Sequence, residues 1–226
     1  MSTNSRSLAE FVASCTRRDF LKTTAAAAAA TMVTGCATVP KGGPAPAILR
    51  KQPEHIRVGV IGCGGRGTEA ALDCVRSSPN VEIVALGDFF QDRLDKCRQT
   101  FATPDAADAA EQIKVTDEQC FAGFDAYLHV LNCDLEMVIL AAPPGFRPLH
   151  YEAAVAAGKH VFMEKPVAVD PVGVRRVIAA SELATQKGLG VVAGTQRRHQ
   201  PAYLETMKRI HDGWIGQITA AQCYWN

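Results

Sequence analysis

From Ile56 onward the chain alternates between two hydrophobic rhythms. IRVGVI (56–61) is a near-continuous apolar run, as a strand buried on both faces should be, and a helical pattern over GTEAALDCVRSS follows it. VEIVALGD (81–88) repeats the strand pattern and QDRLDKCRQTF (91–101) the helical one. A weakly marked stretch comes next, with a short strand near Cys120 and a helix around FDAYLHVL. Then DLEMVILAAPP reads as strand, PLHYEAAVAAG as helix, KHVFMEK as strand, DPVGVRRVIAASELATQKG as a long helix and LGVVAGTQ as a last strand. This alternation predicts an α/β fold with a doubly wound parallel sheet and helices on both faces.

The first 54 residues follow neither rhythm. Residues 1–15 are polar, TRRDFLK occupies 16–22, and thirteen small or apolar residues run from Thr23 to Gly35. Thirteen is too few to span a bilayer, which takes about 20 residues. A charged segment followed by a short apolar one is the build of an export signal, and Arg17-Arg18 before Phe-Leu-Lys resembles the twin-arginine type closely. The alternative, an Ala-rich amphipathic helix, lacks a polar face after Lys22. Val33-Thr34-Gly35-Cys36 resembles a lipobox, in which Cys36 is acylated, while Ala45-Pro46-Ala47 is a rival cleavage site that would release a soluble protein. Lipidation is the preferred reading of the two. Residues 37–54 are rich in Pro and Gly and read as a tether.

Composition narrows the function classes. The 226 residues are 47% hydrophobic and 21% charged, which is globular. Basic and acidic residues number 24 and 23 and are interspersed, so nucleic acid is not an expected partner. The eight cysteines form no C-x-x-C pair, so no metal site is expected. Most of them lie in apolar patterns and read as buried free thiols.

The turn after the first strand carries the chemistry. Gly62-Cys63-Gly64-Gly65-Arg66-Gly67 is G-x-G-x-x-G between a buried strand and a helix, the context that makes this motif a dinucleotide-binding signature. Gly62 permits the tight turn, Gly64 lets the backbone approach a pyrophosphate, and Gly67 lets helix and strand pack closely; Gly65 and Arg66 share the loop. Asp88 closes the second strand 26 residues after Gly62, where a carboxylate accepts from ribose hydroxyls and repels a 2′-phosphate. NAD is therefore expected over NADP. Asp92 is the neighbour that could be confused with it.

Val58 to Gly67, VILAAPPGFRPLH, AAVAAGKHVFMEKP and GTQRRHQPAY together resemble the Gfo/Idh/MocA family of oxidoreductases over residues 55–226. The resemblance implies a Rossmann-type doubly wound sheet at 55–197 and, from 198, the start of a C-terminal α+β domain concerned with substrate and oligomerisation. It also implies hydride transfer at a hydroxyl or carbonyl of a sugar or cyclitol. Lys165 of Glu164-Lys165-Pro166 would donate to the reacting oxygen, a role a fixed cation can fill. Pro143 and His150 would border the cleft, Glu164 would place the nicotinamide ribose, and Gln196, Arg197 and Arg198 would lie near nicotinamide and substrate; for the two arginines a solvated loop is the competing reading. A cis Lys165–Pro166 bond is expected from the same resemblance.

GQITAAQCYWN resembles the opening strand of that second domain, which is expected to be incomplete in this chain. The protein is thus read as periplasmic, attached to the membrane only through its signal or a lipid anchor, handled by the twin-arginine machinery, and a homo-oligomer at full length. Because no replacement nucleotide pool is evident outside the inner membrane, tightly held and internally recycled NAD is expected. Two alternatives stay open: a redox-neutral NAD-dependent glycosidase, and a surface binding module without catalysis.

Overall fold

A computed structural model of the protein describes residues 55–224. The expected export signal, the expected lipidation site at Cys36 and the expected tether lie outside them. Six parallel strands form one sheet: β1 (Ile56–Ile61), β2 (Val81–Asp88), β3 (Cys120–Ala122), β4 (Met137–Leu140), β5 (His160–Glu164) and β6 (Val191–Gly194), in the order β3-β2-β1-β4-β5-β6. That order is the Rossmann one, with its direction reversing between β1 and β4. The connecting helices are α1 (Gly65–Ser77), α2 (Gln91–Phe101), α3 (Ala126–Asn132), α4 (Arg147–Ala156) and α5 (Pro171–Gln186), with α6 (Pro201–His211) after β6.

Each sheet face has its own core, as buried parallel strands require. Val58 and Val60 of β1, Ile83 and Leu86 of β2 and Ile139 of β4 pack with Val75, Leu94 and Phe101 on one side. Ile61, Val138, Leu140, Val161 and Met163 pack with Tyr151, Val155 and Val177 on the other. A bulge interrupts the β1–β2 ladder: Val58 opposes Ile83, but Gly59 opposes Ala85. Val84 and Ala85 consequently face the same core. Arg57 ties β1 to the approach to β4, its N–H and Nη2 donating to Glu136 at 2.7 and 2.5 Å.

Strand and helix positions follow the hydrophobic rhythms, with instructive departures. Residues 104–112 and 117–119 form 3₁₀ turns inside the weakly marked stretch, where small and acidic residues give no periodicity. β4 is only four residues long, since its expected continuation bends away toward Pro143-Pro144. α6 was not expected; Pro201 starts it, and none of its residues is buried. The strand expected within GQITAAQCYWN is not formed in the residues described through Tyr224, which have no ladder partner there. All six described cysteines are free, but only Cys63 and Cys97 are buried, so the expectation of mostly buried thiols overstated the case.

Candidate functional site

The carboxyl ends of β1, β2, β4 and β5 open into a cleft of about 710 Å³ at the point where the strand order reverses. The glycine loop forms its floor. Gly62 has φ +100°, and a Cβ there would sit 2.2 Å from the amide nitrogen of Ala142. A Cβ on Gly67 would sit 1.8 Å from the Gly62 carbonyl oxygen. These two glycines are demanded by the protein's own packing. Gly64 and Gly65 differ: a Cβ on either meets nothing within 4 Å, so the backbone here faces open space. Gly64 caps α1, whose first turn holds no acidic residue, leaving its orphan N–H groups and positive dipole end toward the cleft. Such a cradle fits a pyrophosphate.

Asp88 is held against this loop from both sides. Its Oδ2 accepts from the Cys63 N–H at 2.7 Å and its Oδ1 from the Phe90 N–H at 3.0 Å. Each oxygen keeps a further lone pair, which is the arrangement a vicinal diol needs. Beside it, Phe89 meets Phe90 and Phe124 edge-on, with ring centroids 4.6 and 4.2 Å apart. All three rings are exposed along the cleft wall, where Arg93 also lies.

The opposite half of the cleft is built from side chains. Glu164 ends β5, is 5% exposed, and accepts from Arg66 Nε at 2.8 Å. Gly194 makes room for it, since a Cβ there would lie 3.0 Å from Glu164 Oε1. Arg66 also pairs with Glu69 at 2.8 Å. Lys165 follows, exposed at the cleft mouth, and its bond to Pro166 is cis, as expected. His150 is buried between Tyr127, stacked at 4.5 Å, and Phe146 at 6.2 Å. Burial, aided by the nearby charge of Arg147, pushes its pKa down to about 4, so the imidazole is neutral at pH 7. Its Nδ1 has no hydrogen-bond partner among the described residues.

Gly62, Gly64, Arg66, Gly67, Asp88, Pro143, His150, Glu164, Lys165 and Gln196 all line this one cleft. Gly65, Arg197 and Arg198 are not among its lining residues. Arg197 instead stacks over the Tyr203 ring at 5.2 Å and bonds its hydroxyl. Asp92 is exposed in the first turn of α2, so it is Asp88 that meets the loop. Sequence reasoning missed the aromatic cluster, Arg93, Tyr127 and Arg147. The aromatic pair Phe89-Phe90 directly after a strand-ending aspartate was the available signal; nothing local marks Tyr127.

Residues 56–195 match the family model described as an oxidoreductase family with an NAD-binding Rossmann fold, Gfo/Idh/MocA. Residues 14–34 match that of the twin-arginine translocation signal. An inositol 2-dehydrogenase of Klebsiella pneumoniae (strain 342) is 31% identical over 172 residues, covering 74% of this chain and 45% of that protein. Among solved structures, the apo scyllo-inositol dehydrogenase from Lactobacillus casei superposes with a TM-score of 0.56 at 26% identity, over 74% of this chain and 44% of that one. A 3-ketoreductase from Actinomadura kijaniata, in complex with TDP-benzene and NADP, gives 0.55 at 26%, over 72% and 45%. The chain therefore spans about 45% of the length of the curated relatives it matches.

Proposed function

This chain belongs to the Gfo/Idh/MocA oxidoreductase family, and from that premise we propose that it is the nucleotide-binding part of an exported oxidoreductase acting on a hydroxyl or carbonyl of a sugar or cyclitol. The observation that carries the proposal is the convergence of the glycine cradle, Asp88 and Lys165 on one cleft. The backbone of Gly64 and the α1 N-terminus would hold the pyrophosphate, and Asp88 would accept from the adenosine ribose. Pro143 and His150 wall the nicotinamide half, Glu164 places its ribose, and Gln196 closes the far side. When bound, the nicotinamide supplies the hydride acceptor or donor. Lys165 donates a hydrogen bond or proton to the substrate oxygen, stabilising the charge that builds there. Arg197 and Arg198 follow Gln196 in the short turn after β6, and contact of either with substrate stays part of the proposal. A sugar or cyclitol substrate is supported by the activities of the relatives, an inositol 2-dehydrogenase and a deoxysugar 3-reductase.

NAD is the proposed cofactor. Asp88 already carries two N–H bonds and presents negative charge where NADP has a phosphate. Arg66, the cation nearest the loop, is engaged by Glu164 and Glu69 and does not offset it. The twin-arginine signal implies passage through the membrane as a folded protein, so the nucleotide is loaded beforehand, retained and recycled in place. Cys36 serves as the lipid anchor in the periplasm. One experiment tests the core of this reading. The exported full-length protein is purified without added nucleotide and denatured, and the supernatant is assayed. Near-stoichiometric NAD is expected, with turnover on a polyol or sugar that falls at least about 100-fold in Lys165→Met while NADH affinity stays within about threefold. An empty protein, bound NADP, or a fully active Lys165→Met overturns it.

A further inference from the structure

The two loops that border the nicotinamide half of the cleft are joined by a buried cation. Arg147 opens α4 and is 3% exposed. Its Nη2 donates to the Ala142 carbonyl at 2.6 Å, and its Nη1 donates to the carbonyl of Pro166. Ala142 leads from β4 into Pro143-Pro144, and Pro166 follows Lys165 out of β5. One rigid guanidinium fork thus spans the wall on one side and the lysine on the other.

Local forces oppose this placement. A cation at the first position of a helix faces the positive end of the dipole. Burial disfavours its charged form, an effect the negative charge of Glu164 offsets only in part, and among the described residues no carboxylate lies within salt-bridge distance of it. Nε has no partner among the described residues either. An apolar residue of similar size would avoid the cost of burying charge but would leave the Ala142 and Pro166 carbonyls without this donor. What Arg147 uniquely supplies is two divergent donors held in one plane, which lysine cannot reproduce.

We propose that Arg147 is a positioning residue that fixes the spacing between the Pro143-Pro144 wall and Lys165, and so sets the Lys165 amine against the bound nicotinamide. This rests on the role given to Lys165 above. Positioning of this kind matters because a displacement of about 1 Å at a reacting group costs on the order of 100-fold in rate.

The test needs no substrate. Competitive acetylation of the full chain, read by peptide mass spectrometry, compares Lys165 with the exposed Lys114 with and without saturating NADH. In the wild type, NADH is expected to slow Lys165 labelling about tenfold relative to Lys114, because the amine is held against the cofactor. Arg147→Lys and Arg147→Gln are expected to bind NADH within about threefold of wild type, yet to show protection of about twofold or less. Wild-type protection in both variants overturns the proposal. Failure of both to fold or to bind NADH also overturns it, since Arg147 then serves stability alone. Lack of protection in the wild type defeats the Lys165 reading itself, and that result involves no Arg147 variant.

Discussion

The two halves of the cleft achieve shape by opposite means. The half under the glycine loop is made of backbone: Gly62 and Gly67 are pinned by contacts of 2.2 and 1.8 Å to a would-be Cβ, and Asp88 is fixed by two main-chain N–H groups. The other half is made of buried polar side chains, Glu164, His150 and Arg147, each held by partners from another loop or helix. A pyrophosphate can be recognised by any suitably bent backbone, so the first half needs only spacing. A reacting oxygen must be met by a particular atom, so the second half needs side chains, and those need their own support.

Substitutions can break or sharpen this contrast. The largest effect is expected at Gly67→Ala, where the new methyl collides with the Gly62 carbonyl; a loss of at least about 4 kcal/mol or failure to fold should appear in thermal unfolding. At Asp88→Ala the fold should persist while NAD affinity drops by about 100-fold and the NAD:NADP ratio collapses, read by titration of both nucleotides. In the side-chain half, His150 remains neutral in the folded chain down to about pH 4, whereas unfolded it protonates near 6.5. The stability it confers is complete above 6.5 and is lost as pH falls toward 4. His150→Phe should flatten the stability profile over that window, by on the order of 2 kcal/mol in denaturant unfolding. Smallest of all is the stability change at Gly64→Ala, within about 0.5 kcal/mol, because the added methyl meets open space. Its NADH affinity should nonetheless fall about tenfold, which would separate a glycine needed by the ligand from one needed by the fold.

The same contrast governs what could be read from the chain. The backbone half was legible because its logic is local: a buried run, glycines at fixed offsets and an aspartate ending the next run. VEIVALGD and QDRLDKCRQTF became β2 and α2 residue for residue. Arg147 was not legible. In PPGFRPLH it has the look of a solvated arginine beside a turn, and only the return of Pro166 to the same place buries it. Gly194 gave no sign that it clears space for Glu164, thirty residues earlier in the sequence. α6 was missed although Tyr203, Leu204, Met207 and Ile210 recur along it at helical spacing, a stripe of which no residue is buried. Lys165 and Glu164 were found through resemblance rather than pattern, since a charged pair after a strand is ordinary.

The irregularity in β2 has a bearing on how far Asp88 can drift in such chains. Because Val84 is an extra residue relative to β1, the strand is really two half-strands of opposite parity: Val81 and Ile83 face one core, and so does Leu86, an odd number of residues later. The carboxylate inherits the parity of the second half. Removing Val84 would bring Ile83 and Ala85 into uninterrupted register with Val58 and Gly59, leaving Asp88 aimed at the Cys63 amide. Distance along the chain between the first glycine and this aspartate is therefore a flexible quantity, open to change by single residues, whereas the side on which the aspartate emerges is not.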